Sequence, residues 1–309
     1  MGEKVQAPRR LFFSLNMEKR LPFGAVLFVS TDFSKTSRAL RTRNINAPLA
    51  GTYLPENPGD GSFPLGQEAG TIYQTESSGI IKNKVFYVSL KIPKFQLANL
   101  QIDYSLSRKK DNLVYGSGSP LDPYDFSSEF AAADDDVRHR VSIISVSTLP
   151  FGIRLTNVLG ILSGFPYNIV TGRDTNGDGF FLERPALAAN DLNASGLIQT
   201  RLGTFDPNPS PTDTIIPRNY GRGPGTFTLD TLITKQFKLF RKNQNDAGKY
   251  TLNLSVRANN ILNVVNRDNP IGNLSSPNFL RSISYAPARA VLSSVPAPRR
   301  ISFDVRFNF

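Results

Sequence analysis

Chemistry in this chain would have to come from three places. The stretch "DTNGDG" sets Asp174, Asn176 and Asp178 at alternate positions with Gly179 sixth, the spacing of the first half of an EF-hand-like calcium loop. Its twelfth position is Pro185 where that loop needs a bidentate glutamate, and the nearby carboxylate is Glu183. The expected metal set is therefore Asp174, Asn176, Asp178 and Glu183, with calcium as the ion; the same residues also suit a loop built from Asx turns and glycine. His139 is the only histidine and there is no cysteine, which removes multi-histidine and thiolate sites. With no base paired to a nucleophile, no catalytic residue is expected, no cofactor beyond the calcium, and no enzyme activity. "GRGPG" (residues 221–225) lacks the following Lys-Ser/Thr of a phosphate loop and precedes a strand pattern instead of a helix.

The elements that carry these groups read as strands. Side chains alternate across a strand, and from Ile301 to Phe309 every odd position is apolar and every even one polar. Ala98, Leu100, Ile102, Tyr104 and Leu106 oppose Asn99, Gln101, Asp103, Ser105 and Ser107 in the same way. Strands are expected at 11–19, 24–34, 79–92, 95–109, 138–148, 153–171, 226–240, 249–262 and 301–309, with short and long connections alternating between them. Ile143 beside Ile144, and Leu232 beside Ile233, break the alternation and call for bulges or register breaks. Lys235 falls in phase with Phe227, Leu229 and Ile233, near a short turn where a charge costs little.

Long amphipathic strands with short turns at one end and long loops at the other form the pattern of an outer-membrane barrel, apolar outward and polar inward. The composition agrees, since 39% hydrophobic residues is below the ~45–50% of soluble domains. No apolar run approaches the ~18 residues of a spanning helix. The formal charge of +11 is dispersed. Lys35, Arg38, Arg41 and Arg43 fall in the first long loop and Arg108, Lys109 and Lys110 at a strand end, where basic groups meet anionic lipid headgroups. Arg257 and Arg306 are placed in the lumen, facing anionic solutes. Nucleic acid is not an expected partner.

Two resemblances sharpen this reading. Phe303, Val305, Phe307 and Phe309 resemble the C-terminal assembly signal that the barrel assembly machinery reads in outer-membrane proteins. "DDDVRHR", "SGFPYNIVTG", "DTNGDG" with Glu183–Arg184–Pro185, "PRNYGRGPGTFTLDTLITKQF" and "NILNVVN" resemble the barrel of TonB-dependent receptors, specifically the Oar-like type with a carboxypeptidase-regulatory-like domain at its N-terminus. The resemblance implies an active transporter of a small nutrient or chelate in the outer membrane of a Gram-negative-type bacterium, with ~22 strands around a plug energised by TonB. Nothing before Arg9 reads as a signal peptide, regulatory-like domain, plug or TonB box. The expectation is thus an all-β antiparallel meander over residues 1–309, the C-terminal portion of such a barrel and not functional alone. Two other readings stand beside it: a passive porin-like or structural outer-membrane barrel, and a soluble cationic β-protein that binds glycans or nucleic acid.

Overall fold

The computed structural model describes residues 5–57, 61–95, 98–113, 120–188, 195–210, 212–238, 250–286 and 298–308. In chain order the strands are β1 (Arg9–Arg20), β2 (Val26–Asn44), β3 (Tyr73–Phe95), β4 (Ala98–Asp111), β5 (Ala131–Ala132), β6 (His139–Leu149), β7 (Ile153–Leu162), β8 (Pro166–Tyr167), β9 (Ala186–Leu187), β10 (Ile198–Thr200), β11 (Gly203–Asp206), β12 (Gly221–Arg222), β13 (Thr226–Lys238), β14 (Thr251–Asn259) and β15 (Arg300–Asn308). The long ones join in the order β1-β2-β3-β4-β6-β7-β13-β14-β15, every neighbour antiparallel, with β5 added to the end of β4. β1 pairs only with β2 and β15 only with β14, so both outer edges of the sheet are open among the described residues.

Register aligns the alternating patterns of separate strands into rungs. One rung runs Phe227, Ile161, Val141, Tyr104, Val88, Val29, Met17, and the next runs Leu229, Leu159, Ile143, Ile102, Leu90, Leu27, ending on Lys19 of the edge strand beside the short turn. These rungs form an apolar belt on one face. Between belt and short turns lies one polar rung, Thr231, Asn157 and Ser145, which closes on itself: Thr231 Oγ1 donates to Asn157 Oδ1 (2.9 Å) and Asn157 Nδ2 to Ser145 Oγ (3.3 Å). The opposite face carries Thr228, Gly160, Ser142, Asp103 and Ser89 on one rung.

Burial is inverted relative to a soluble sheet. Ser142, Ser89 and Ser30 are only 2%, 3% and 6% exposed, whereas Ile233, Phe86 and Ile161 on the belt face of interior strands are 43%, 42% and 38% exposed. The compact apolar cluster of Tyr167, Ile169, Phe205, Ile216 and Leu274 lies in the connections after β7 and β14, not beneath the sheet. A soluble sandwich would seal the apolar face against a second sheet. Here that face is left for another solvent.

Two short turns are near copies. Leu21-Pro22-Phe23-Gly24 joins β1 to β2, and Leu149-Pro150-Phe151-Gly152 joins β6 to β7. Each glycine is left-handed (φ 71° and 68°), a conformation glycine adopts freely. The preceding phenylalanines share that region (φ 61° and 63°), and their rings are exposed. For a bulky residue this is a strained conformation.

Several expectations are corrected. β6 and β13 run through Ile143–Ile144 and Leu232–Ile233 without a register shift. Ile143 joins the belt while Ile144 lines an apolar cavity of about 570 Å³ with Val26 and Val146 near the short-turn end, so neither isoleucine needs a bulge to find apolar company. The shifts occur instead at Ser37–Ala39–Arg41, where Arg38 has φ 59°, and at Ile92–Phe95. β2 and β3 reach well past the expected limits, to Asn44 and from Tyr73, so Lys35, Arg38, Arg41 and Arg43 belong to a strand and not to a loop. Beyond the belt one face of this hairpin packs small and charged residues under the loops, with Ala39 buried and Arg41 stacked on the Phe126 ring, so the apolar–polar alternation that lipid dictates is no longer required. β7 ends at Leu162, because Pro166–Tyr167 leaves to pair with Gly221–Arg222. Lys235 is on the belt face, opposite Ile153 at the start of β7, and its ammonium reaches the Gly152 turn.

Candidate functional site: the loop cap at the long-loop end

The long connections meet through charge. Arg184 grips Glu129 with two parallel bonds, Nη2 to Oε1 at 2.9 Å and Nη1 to Oε2 at 3.2 Å. Arg218 bonds Asp111 at the end of β4, donates to Asp134 Oδ1 at 3.2 Å and approaches Glu129 at 3.9 Å. Arg222 bonds Asp136, whose Oδ1 also accepts the Lys109 N–H at 2.7 Å. Asn219 Nδ2 completes the web by donating to Asp134 and to the Ala132 carbonyl. Asp111, Glu129, Asp136, Arg184 and Arg218 are all buried. Buried charges need such partners, because each ion stripped of water costs several kcal/mol. Four separate chain segments are thereby fixed to one another at the mouth of the sheet.

Beside this web sits the expected calcium loop. Asp174 accepts from the N–H groups of Gly177 (2.7 Å) and Gly179 (3.0 Å), Asn176 Oδ1 from Asp178 N–H (3.0 Å), and Asp178 Oδ1 from Phe180 N–H (2.8 Å). These are the Asx turns of the alternative reading. The same folding brings one carboxylate oxygen from each of Asp174, Asp178 and Glu183 within 4.8 Å of one another. Asn176 spends its amide on the Leu121 carbonyl, 3.1 Å away. Glu183 is 8% exposed; Oε1 accepts the Thr175 N–H at 3.1 Å, and Oε2 is buried with no partner. Burial, assisted by the neighbouring charges of Asp178 and Asp174, pushes the Glu183 carboxyl up to about 7. The ring of Tyr53 packs on Gly177, where a Cβ would come within 2.4 Å of it and the backbone is left-handed (φ 73°).

The remaining candidates fall into place. His139 opens β6, and its Nδ1 shares a hydrogen bond with the Tyr104 hydroxyl at 2.9 Å, its ring stacked on the tyrosine. Gly221–Arg222 of the glycine-rich stretch forms β12, leading the chain into β13. Arg257 and Arg306 share a polar recess with Asn253, Ser255, Ser302 and Asp304 on the face opposite the belt. Phe303, Val305 and Phe307 lie on the belt face against Val256, Leu254 and Leu252. Phe309 lies outside the described residues. Sequence reasoning quoted Asp136, Arg184, Arg218 and Arg222 within motifs but gave them no partners, and passed over Asp111 and Glu129. Partners 55 to 107 residues apart leave no local spacing to read.

Inverted faces, nearest-neighbour antiparallel order and connections gathered at one end define an outer-membrane β-barrel sheet. The chain belongs to the outer membrane beta barrel domain family, which it matches over residues 1–291. Its fold is similar to that of the outer membrane transporter YddB from Escherichia coli, with a TM-score of 0.58 and 12% identity. The likeness covers 97% of this chain and 32% of that one, so the chain spans about a third of the transporter's length. No curated protein matches by sequence. The protein is located in the outer membrane, which leaves no place for the soluble reading.

Proposed function

We propose that this chain is the C-terminal segment of the barrel of a TonB-dependent transporter of the Oar-like type. The complete barrel would have ~22 strands and surround a plug that belongs to the same receptor. It is a non-enzymatic importer of a small nutrient or chelate, inserted by the barrel assembly machinery and energised through TonB. One observation carries the reading: the sheet has the faces of a membrane barrel but, among the described residues, two open edges, β1 and β15. Unpaired backbone groups in lipid cost several kcal/mol each, so those edges require further strands. Antibody against the 174–184 loop should detect, in native outer membranes, one polypeptide roughly three times the 34.1 kDa of this chain, judged from the share of the transporter that it covers. Cross-linked cells should yield that polypeptide together with TonB. A native band at 34.1 kDa would overturn the segment reading, and recovery without TonB would favour a passive porin-like barrel.

A second reading is favoured by the unpartnered oxygen of Glu183. Asp174, Asp178 and Glu183 hold calcium, with backbone carbonyls and water completing the coordination shell that this hard ion takes. Terbium, a luminescent stand-in for calcium, should show emission sensitised by Tyr53, and calcium should displace it at roughly 10⁻⁴–10⁻³ M. Glu183→Gln is expected to weaken binding at least tenfold, whereas Tyr53→Phe should remove the emission and leave calorimetric binding intact. Unchanged calcium affinity in Glu183→Gln, or no calorimetric binding by the unsubstituted protein, would sink the site.

A further inference from the structure

Register gathers five cations on the belt face of β2–β4 at its upper border. Lys35, Lys82 and Lys110 occupy one rung of β2, β3 and β4, and Lys84 and Arg108 occupy the rung below, beside Phe33. Neighbouring strands lie ~4.8 Å apart and successive same-face rungs ~7 Å, so all five charged groups share a small patch. Like charges directly opposite one another are destabilising. Among the described residues no ion pair relieves them: the salt bridges of this region use Arg41, Arg43 and Lys109 instead. The other belt-face positions on β1–β4 at this level are Arg9, Leu11, Phe13, Phe33, Ser37, Ile80 and Leu106, none of them acidic. Aromatic rings support the stems, with Lys82 Nζ 5.1 Å from the ring centre of Phe130 and Lys84 Nζ 5.8 Å from that of Phe33.

Height identifies what this patch meets. From Val26, at the short-turn end of β2, to Lys35 is nine residues. At ~3.3 Å per residue and a tilt of ~40° they climb about 23 Å, close to the ~25 Å of the apolar band. The cations therefore stand where acyl chains give way to headgroups on the long-loop side, and the flexible lysine stems of the lower rung extend upward to the same level.

We propose that Lys35, Lys82, Lys84, Arg108 and Lys110 form a binding site for the phosphates of an anionic lipid headgroup in the leaflet that meets the long loops. The lipid seats its chains on the belt directly below and its phosphates on this patch. This inference rests on the membrane location and is independent of the transported substrate or TonB. Detergent-solubilised protein would be titrated with micelles containing bis-phosphorylated lipid A, with phosphatidylcholine micelles and with inorganic phosphate. Lipid A is expected to bind best, the binding weakening with salt, and Lys82→Gln/Lys110→Gln should lose about 10–30-fold, given ~1 kcal/mol for each cation at an anionic surface. Lys91→Gln removes a charge from the opposite face of β3 and should change little. Equal binding of phosphatidylcholine, equal loss in Lys91→Gln, or retention in the double variant would overturn the proposal. Binding of inorganic phosphate as tight as that of the lipid would reassign the patch to a soluble anion.

Discussion

Replacing Leu159 with arginine is expected to destabilise the protein in lipid vesicles by about 2–4 kcal/mol, the cost of a charge near the middle of a lipid-facing strand. Leu159 lies six residues above the short turn at Ile153, on the rung with Leu229, Ile143 and Ile102. Thr156→Arg introduces the same side chain on the opposite face of β7, where its rung holds Leu232, Val146 and Asn99, and should cost about 1 kcal/mol or less because water reaches a lumen. Denaturant unfolding of both variants supplies the comparison. Were Thr156→Arg the costlier of the two, the assignment of faces would be reversed.

The second large effect is expected in the cap. Arg218→Met leaves Asp111 and Glu129, 0% and 2% exposed in their side chains, without one of their cations. Breaking a buried pair by removing one partner costs about 3–5 kcal/mol. The loss should appear in hydrogen exchange as faster opening of residues 127–136 and 174–187, with β3 and β4 below the cap unchanged. Lys109→Met offers the contrast: its partner Asp135 is 64% exposed, and such a surface pair contributes ~0–1 kcal/mol. Similar exchange in the two variants would mean that the buried web does not hold the cap together.

The sheet was legible because a membrane strand must show its period. Ala98 to Leu106 and Ile301 to Phe307 alternate on their own, and register then aligns them with neighbours whose alternation is equally plain. Where lipid no longer dictates one face, legibility fails. Thr36 to Asn44 is strand, held across to β3 in part by Arg41 and Arg43 on Glu76, yet carries no apolar period because its inner face packs Ala39 and Arg41 under the loops instead of facing lipid. Ile144 broke the pattern for the opposite reason, since the polar face has an apolar cavity of its own. At the candidate site, the approach of Asp174, Asp178 and Glu183 was readable because the three carboxylates lie within ten residues. The Asp111–Arg218 and Glu129–Arg184 pairs were not, because their partners meet only after the whole sheet has brought the long connections to one end.

Adjacent residues on opposite faces give the most direct test of the claim that acyl chains solvate the belt. The 309-residue sequence has no cysteine, so single cysteines at Ile143 and Ile144 can each carry one fluorophore. In native outer membranes containing brominated lipids, the label at 143 is predicted to be quenched and the label at 144 to stay bright. Quenching at 144 equal to that at 143, or none at either position, would contradict the account.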